Sequence, residues 1–195
     1  MGQYYRIVTR NRKDGLIVNN RKYKGSPYIS AKLTEHGYLG NHMTSSVAFY
    51  IENNPTRVMW VGDYAENCDL RRITNHHVSK KNVWREGFYP EHEFEFKGEF
   101  DHKGKFLVNH TKKRYLSYDD YVALSGGRAV FNDTFDPLPL LTAVGNGLGG
   151  GDYHGENEDK IGLWAYDKLE ITGKKPEGYR KFMVSFAEKG LDDGN

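Results

Sequence analysis

The most unusual stretch of this sequence is rich in glycine and runs from Gly145 to Gly155. Its residues are Gly-Asn-Gly-Leu-Gly-Gly-Gly-Asp-Tyr-His-Gly, and its glycines can take a positive φ or let a ligand approach the backbone. Successive exposed N–H groups in such a loop form a concavity that binds anions. Two interpretations stay open for this segment: a wide turn between two strands, and a loop that contacts a ligand.

The ligand-binding residues predicted within this loop are Asn146, Gly147, Gly149, Gly150, Gly151, Asp152, Tyr153 and His154. The segment differs from the known phosphate loops. A Walker A loop ends in Gly-Lys-Ser/Thr, whereas here Asp152 follows the last of three glycines and its carboxylate would repel a phosphate. The dinucleotide fingerprint requires a helix after the loop, whereas the residues that follow are charged and then typical of a strand.

Histidine is abundant, with eight residues, so metal and acid–base chemistry must be considered. His76 and His77 are adjacent, and on a strand they would point to opposite faces. No His-x-x-x-His pair and no His-Glu-x-x-His motif occurs. We predict no metal site and no cofactor.

Two triplets, His42-Met-Thr44 and His77-Val-Ser79, resemble the paired motifs of two-histidine phosphoesterases. In those enzymes one histidine acts as base and the other as acid, while the hydroxyls hold phosphate oxygens. Both triplets lack the apolar residue that should follow the hydroxyl. Chance occurrence is the preferred interpretation.

Three further side chains could act as acid, base or nucleophile. Asp63 closes an apolar strand, and together with Asp152 and His36 it could perform general acid–base catalysis in a shared cleft. Aspartate beside glycine more often caps a turn. Cys68 lies between Asn67 and Asp69, a context that disfavours the thiolate. No catalytic residue is assigned.

The charge balance bears on the class of partner. The 195 residues include 28 Lys plus Arg and 26 Asp plus Glu, a formal net charge of +2, which argues against a dedicated nucleic-acid binder. The run from Lys112 to Arg114 is predicted to be a solvated turn, with Asp119 and Asp120 nearby. No apolar stretch is long enough to span a membrane. The start of the chain lacks an apolar signal core, so a cytoplasmic location is expected.

Short segments of β-branched and aromatic residues outnumber helical patterns. We predict that strands over residues 4–9 and 16–18 form an N-terminal hairpin and that strands over 94–100 and 106–108 form a second hairpin. Residues 19–30 are predicted to be a loop. Further strands are predicted over residues 57–61, 115–118, 138–144, 161–171 and 182–186. Helices are predicted after a cap at Thr44 or Ser45 and over residues 118–124, capped by Ser117. The predicted fold is an α+β single domain over residues 1–190, with a mainly antiparallel sheet and one or two short helices. Residues 191–195 are expected to be a frayed tail.

Five segments together resemble an uncharacterised family of small bacterial and bacteriophage proteins that begin Met-Gly-Gln-Tyr-Tyr. The segments are MGQYYRIV, KLTEHGYLGN, RVMWVGDYAE, FLVNHTKKRYLSY and GNGLGGGDYHG, and the resemblance that they carry extends over most of the chain. The resemblance supplies no catalytic residue. It implies that Glu35, His36, Asn41, Asp63 and Tyr64 belong to the motifs of the family and could contribute to a ligand site.

Three functions follow as hypotheses. The preferred one is a non-enzymatic binding protein whose glycine-rich loop contacts a small phosphate-bearing ligand or a protein partner. The phage context of the resemblance suggests a host factor, including host defence. The second is a hydrolase or phosphodiesterase that uses His36, Asp63 and Asp152 or His154 as acid and base. The third is a structural or virion-associated protein with a tyrosine-rich interface. The sequence leaves the oligomeric state open.

Overall fold

Apolar runs with β-branched and aromatic residues form the centre of a sheet. The computed structural model describes residues 2–12, 15–18, 30–84, 97–125 and 134–187. Within them the strands are β1 (Tyr5–Asn11), β2 (Gly15–Val18), β3 (Thr56–Gly62), β4 (Phe106–Asn109), β5 (Arg114–Ser117), β6 (Ala143–Val144), β7 (Lys168–Thr172) and β8 (Arg180–Lys181). The helices are α1 (Leu33–His36), α2 (His42–Ile51), α3 (Asn67–Thr74), α4 (Lys80–Trp84), α5 (Tyr118–Ser125) and α6 (Pro137–Thr142).

All strands belong to one mixed sheet. Seven follow the order β2-β1-β3-β7-β4-β5-β8, and β6 pairs with β3 beside this path. Most pairs are antiparallel, whereas β3–β6 and β5–β8 are parallel. The predicted α+β single domain with a mostly antiparallel sheet is confirmed, and the helices are more numerous than the one or two predicted.

Hydrophobic clusters cover both faces of the sheet, and β3 contributes side chains to both of them. Val58 and Trp60 pack into a large cluster with α2 and α6, whereas Met59 and Val61 pack into a second cluster with residues of α3 and α4. Because alternate residues of a strand point to opposite faces, a strand buried on both faces needs a continuous apolar run. The predicted central strand over 57–61 is confirmed.

The segment 138–144 was predicted to be a strand, and that prediction is wrong for most of its length. The helix α6 occupies this segment, and only Ala143–Val144 pairs with the sheet. The residues at the start of this segment explain why it is helical. Asp136 accepts a hydrogen bond from the Leu138 backbone N–H at 2.8 Å, and Pro137 follows at the first helical position.

Two other predicted segments differ in the structure. The predicted strand over 161–171 begins only at Lys168, because turns with positive φ at Gly162 and Tyr166 precede it. No residue of the predicted strand over 182–186 is in a strand, because β8 (Arg180–Lys181) ends just before it. The burial alternates as predicted, however, with Phe182, Val184 and Phe186 buried.

The second predicted hairpin has a different partner. The strand β4 pairs with β5 and β7, while residues 97–100 form no strand. Phe94 and Phe96 lie outside the described residues, as do most of the predicted loop 19–30 and the tail 191–195. The N-terminal hairpin is confirmed as β1–β2. The helical segment after Ser117 is also confirmed, because the Ser117 hydroxyl accepts a hydrogen bond from the Asp120 N–H.

Candidate functional site

The carboxylate of Asp152 organises the glycine-rich loop from inside. Its Oδ2 accepts hydrogen bonds from the backbone N–H groups of Gly147, Leu148 and Gly149, at 2.8, 2.9 and 2.9 Å. Its Oδ1 accepts a hydrogen bond from the Tyr5 hydroxyl at 2.6 Å. The concavity predicted to bind an anion is therefore present, and a carboxylate of the same chain fills it.

Burial strengthens this arrangement. Asp152 is buried, and Tyr5 lies in the large core cluster. Burial and the neighbouring Asp152 carboxylate raise the pKa of the Tyr5 phenol well above its usual value. The phenol therefore keeps its proton and donates a hydrogen bond to the carboxylate. The loop is thus tied to strand β1 at its base.

A second pair of hydrogen bonds closes the loop. The Asn146 side chain donates to the Tyr153 carbonyl at 2.9 Å and accepts from the Tyr153 backbone N–H at 2.8 Å. The Tyr153 ring is fully buried, and its hydroxyl lies 2.8 and 2.7 Å from the carbonyls of Glu156 and Ala187. Asn146 and Tyr153, two of the predicted ligand-binding residues, therefore hold the loop in one conformation.

Two of the glycines are required by close packing. A Cβ at Gly149 would lie 2.8 Å from the Tyr64 ring and 2.7 Å from the Gln3 side chain. A Cβ at Gly151, where φ is +83°, would lie 2.5 Å from the Lys32 side chain. Much of the glycine content therefore serves close packing between the loop and its neighbours.

The loop joins three segments that are distant in sequence. The Gln3 N–H donates to the Gly150 carbonyl at 2.7 Å, and the Thr34 N–H donates to the Gly151 carbonyl at 3.2 Å. Asp63 accepts from the Tyr4 N–H at 3.2 Å. Segments around residues 3–4, 32–34 and 63–64 are therefore assembled around one loop.

Lys32 lies on the outer side of this assembly and contacts several of its side chains. The Lys32 ammonium forms an ion pair with Glu35 and lies 5.7 Å from the centre of the Tyr4 ring. Tyr4 and Leu148 are the exposed large hydrophobic residues of this region, with exposed fractions of 41% and 53%. We call the surface formed by Tyr4, Lys32, Asp63, Tyr64 and Leu148 the loop face.

Sequence reasoning missed Tyr4, Lys32 and Leu148. Leu148 could have been noticed, because a single leucine between glycines in a polar loop has no core to fill. Tyr4 falls in the first predicted strand, where a tyrosine is common and does not by itself indicate a site. Nothing local in the sequence indicated that Lys32 would lie against Gly151.

Three other predicted site residues have different roles. Asn41 caps α2, and its side chain accepts a hydrogen bond from the Met43 N–H at 2.9 Å. The predicted caps, Thr44 and Ser45, lie inside that helix instead. His36 is half-buried and accepts from the Lys32 N–H, and burial lowers its pKa. His154 is exposed and lies 3.0 Å from Glu158.

The phosphoesterase triplets are not placed on neighbouring strands. His42 and Thr44 are both in α2, and the Thr44 hydroxyl lies 2.9 Å from the carbonyls of Tyr38 and Asn41. His77 and Ser79 lie between α3 and α4. Within the described ranges, no group of three His, Cys, Asp or Glu side chains could hold a metal ion.

A cavity of about 370 Å³ borders the start of the loop, at Gly145 and Asn146. The charged groups around it are already paired. Arg72 forms an ion pair with Asp69, and Glu158 lies beside His154. Arg72, the cation that lines this cavity, therefore already has a carboxylate partner. The lining leaves no unpaired positive charge for a small anionic ligand.

A buried titratable pair lies elsewhere, at the start of α6. Asp136 is fully buried, and its Oδ2 is 3.7 Å from the Nε2 of His102. Neither atom has a hydrogen-bond partner among the described residues. Burial raises the pKa of Asp136 to about 7 and lowers that of His102 to about 4. Burial disfavours both charged forms, so both side chains are neutral between about pH 4 and pH 7.

The chain was compared with protein-family models, with curated proteins and with solved structures. None of the three comparisons finds a match. Over the described part of the chain, no helix is both long and apolar enough to cross a membrane.

Proposed function

We propose that this chain is a non-enzymatic binding protein that recognises a protein partner through the loop face. The observation that carries the proposal is the exposed Leu148 at the tip of a loop that Asp152 fixes through three backbone hydrogen bonds. A binding loop that is already ordered loses little conformational entropy when it binds. An exposed leucine on such a loop is suited to enter an apolar pocket of a partner.

The geometry favours a protein over a small phosphate-bearing ligand at this site. A phosphate would have to displace the Asp152 carboxylate from the N–H groups of Gly147, Leu148 and Gly149. It would also leave that carboxylate buried next to a second negative charge, which is costly. The apolar and aromatic side chains of the loop face need no such displacement.

The hydrolase alternative requires an acid and a base that are available for a substrate. Both oxygens of Asp152 accept hydrogen bonds, and Asp63 accepts from a backbone N–H. The ring of His36 accepts from a backbone N–H as well. These contacts are typical of structural side chains and favour binding over hydrolysis. A virion-associated role stays an alternative.

The resemblance to small bacterial and bacteriophage proteins suggests where to look for the partner. A phage-type accessory protein acts on a bacterial host factor, including factors of host defence. We therefore place the partner among bacterial host proteins.

Photocrosslinking at the loop tip tests the proposal. The photoreactive residue p-benzoylphenylalanine replaces Leu148 in one sample and Met183 in a matched control, since both side chains are 53% exposed. After irradiation in bacterial lysate, we expect a single defined adduct only from position 148. The adduct is identified by mass spectrometry, and the partner is then purified.

The purified partner allows a quantitative test. Leu148→Asp is expected to weaken binding at least about tenfold, which corresponds to 1.4 kcal/mol, while Met183→Asp leaves the affinity unchanged. Equal adducts from both positions, or equal affinity of the two variants, would refute the proposal.

A further inference from the structure

Three side chains in or next to the strands β4, β7 and β8 form a continuous series of hydrogen bonds. The ring of His110 lies between a carboxylate and a hydroxyl. Its Nε2 is 2.7 Å from Glu170 Oε2, and its Nδ1 is 3.0 Å from the Tyr179 hydroxyl. Glu170 and Tyr179 are 60 and 69 residues away from His110 in the sequence, so the fold brings them together. We call these three residues the tyrosine relay.

The sheet places the tyrosine relay on one of its faces. His110 directly follows β4, and its N–H donates to the carbonyl of Lys168, the first residue of β7, at 2.9 Å. Glu170 is two residues further along β7. Because alternate residues of a strand share a face, its carboxylate reaches the His110 ring. Tyr179 immediately precedes β8, which pairs with β5 in the same part of the sheet.

The two contacts of His110 assign a role to each nitrogen of its neutral ring. A carboxylate only accepts hydrogen bonds, so Glu170 accepts the Nε2–H. The Nδ1 atom then carries a lone pair, which accepts the hydrogen bond from the Tyr179 hydroxyl. A base that contacts a hydroxyl and is itself oriented by a third group is the arrangement that activates a nucleophile. Glu170 is accordingly a positioning residue.

The tyrosine relay is accessible to a small reagent and has a cation beside it. The side chains of His110 and Glu170 are 26% and 17% exposed, and Tyr179 is half-buried. The ammonium of Lys113 lies 5.5 Å from the centre of the Tyr179 ring, and Lys113 is exposed. A positive charge at this position stabilises the negative charge that develops on the oxygen atoms during an attack by the phenol.

Other tyrosine hydroxyls of the protein have structural contacts instead. Those of Tyr121 and Tyr153 donate to backbone carbonyls, which are weak bases. The hydroxyl of Tyr5 donates to the Asp152 carboxylate, but Tyr5 is fully buried. Tyr179 differs from them because it combines partial exposure with a basic nitrogen as its acceptor.

We propose that Tyr179 is a covalent acceptor for an acyl group from an activated ester. The Tyr179 oxygen attacks the carbonyl carbon of the ester while its proton moves to Nδ1 of His110. The bond between that carbon and the leaving oxygen then breaks, and the leaving group takes the proton from His110. The products are the tyrosyl ester and the released alcohol. An ester suits the site better than a phosphate, because it brings no second negative charge next to Glu170.

This modification is compatible with a non-enzymatic binding protein. Each chain is acylated once at Tyr179, and the tyrosyl ester remains as the product. No residue of the tyrosine relay belongs to the loop face, so this inference does not rest on the protein recognition proposed above.

Acetylation of the full chain with p-nitrophenyl acetate at neutral pH tests the proposal. Peptide mapping by mass spectrometry measures the rate at each tyrosine. Hydroxylamine, which cleaves phenyl esters and spares amides, identifies the tyrosyl esters. The internal controls are solvent-accessible tyrosines outside the relay, namely Tyr4, Tyr38 and Tyr64. General-base catalysis contributes about 100-fold or more, so Tyr179 should react at least about tenfold faster than each control.

Substitutions separate the roles within the tyrosine relay. His110→Phe keeps an aromatic ring and removes the base, so it should lower the rate at Tyr179 at least about tenfold. The matched control His77→Phe, at an exposed histidine whose ring lies 2.6 Å from a backbone carbonyl, should leave that rate unchanged. Glu170→Ala should also lower the rate. Glu170→Gln should restore part of it, because the amide oxygen still accepts the Nε2–H.

Three results would overturn the proposal. The first is a wild-type Tyr179 that reacts no faster than the control tyrosines. The second is an acetyl group on His110 or Lys113 in place of Tyr179, and the third is an equal effect of His110→Phe and His77→Phe. The first comparison uses the wild-type chain, so it is decisive even if a variant fails to fold. None of these results affects the crosslinking test at Leu148.

Discussion

A single buried carboxylate holds the predicted binding loop in place. Asp152 accepts hydrogen bonds from three successive backbone N–H groups and from the Tyr5 hydroxyl. From the sequence, this aspartate could be recognised as a group that would repel a phosphate. That it would supply the anion itself depends on the fold of the loop, which no residue pattern shows.

Removing the Asp152 carboxylate should destabilise the protein. Asp152→Ala leaves the buried Tyr5 hydroxyl and the loop N–H groups without their acceptor, so we expect a loss of about 3 kcal/mol in the free energy of unfolding. Asp152→Asn keeps one oxygen acceptor and should cost less. Urea denaturation measures both. The control Asp159→Ala, at a side chain that is 70% exposed, should change stability little. Equal effects of Asp152→Ala and Asp159→Ala would contradict this account.

The buried pair of Asp136 and His102 predicts a pH dependence of stability. The pKa of Asp136 is raised to about 7 from 3.8, so between these pH values the folded state holds a proton that the unfolded state releases. The free energy of unfolding therefore falls as the pH rises through this window. The lowered pKa of His102, about 4 instead of 6.5, has the opposite effect between pH 4 and 6.5.

The variant Asp136→Asn separates the two effects. It resembles the protonated acid and keeps the oxygen that accepts from Leu138 N–H. The difference in unfolding free energy, variant minus wild type, should rise between pH 4 and 7 and level off above, with an upper limit of about 4 kcal/mol. Urea titrations at half-unit pH steps measure it. A difference that stays flat over this range would show that Asp136 ionises normally.

At the scale of elements, the sequence revealed the strands better than the helices. The strands β1, β3 and β5 carry local patterns of β-branched and aromatic residues, and their positions were predicted within a few residues. The helix α6 consists of Pro-Leu-Pro-Leu-Leu-Thr, whose apolar residues also suit a buried strand. Only the cap at Asp136 and the proline at the first helical position decide between them, and this signal was overlooked.

Individual residues of the candidate site could be predicted from the sequence, whereas their arrangement in space could not. Glu35, Asp63, Tyr64 and the glycine-rich loop were selected from motifs, and the structure places them near one another. The contact of Lys32 with Gly151, however, depends on pairing between segments more than 100 residues apart. Such long-range pairing is a property of the sheet and has no local sequence signal.

The role of Asn41 as the N-cap of α2 can be tested by substitution. Asn41→Ala should lower the free energy of unfolding by about 1 kcal/mol, because the Met43 N–H loses its acceptor. Asn41→Asp keeps an acceptor and should restore most of the stability. Chemical denaturation distinguishes the two variants. If Asn41→Ala leaves stability intact, the residue is not the cap, and its predicted role in ligand binding regains support.

The whole molecule is organised by one sheet that both hydrophobic clusters share. Because β3 contributes alternate residues to each cluster, neither can lose its packing without disturbing the other. We expect a single cooperative unfolding transition. Far-UV circular dichroism and tryptophan fluorescence in guanidinium chloride should give superimposable curves, since Trp60 and Trp164 are buried in the larger cluster. Two separated transitions would show that the clusters unfold independently.

Asp152 occupies the anion site of the glycine-rich loop, and we propose that this leaves Leu148 available to a protein partner. An NMR titration of the backbone amides of Gly147, Leu148 and Gly149 with inorganic phosphate and with ADP tests this directly. We expect that these three amides are protected from hydrogen exchange and that their chemical shifts do not respond to either compound. Saturable shifts at all three amides would contradict it and would make the loop a phosphate site.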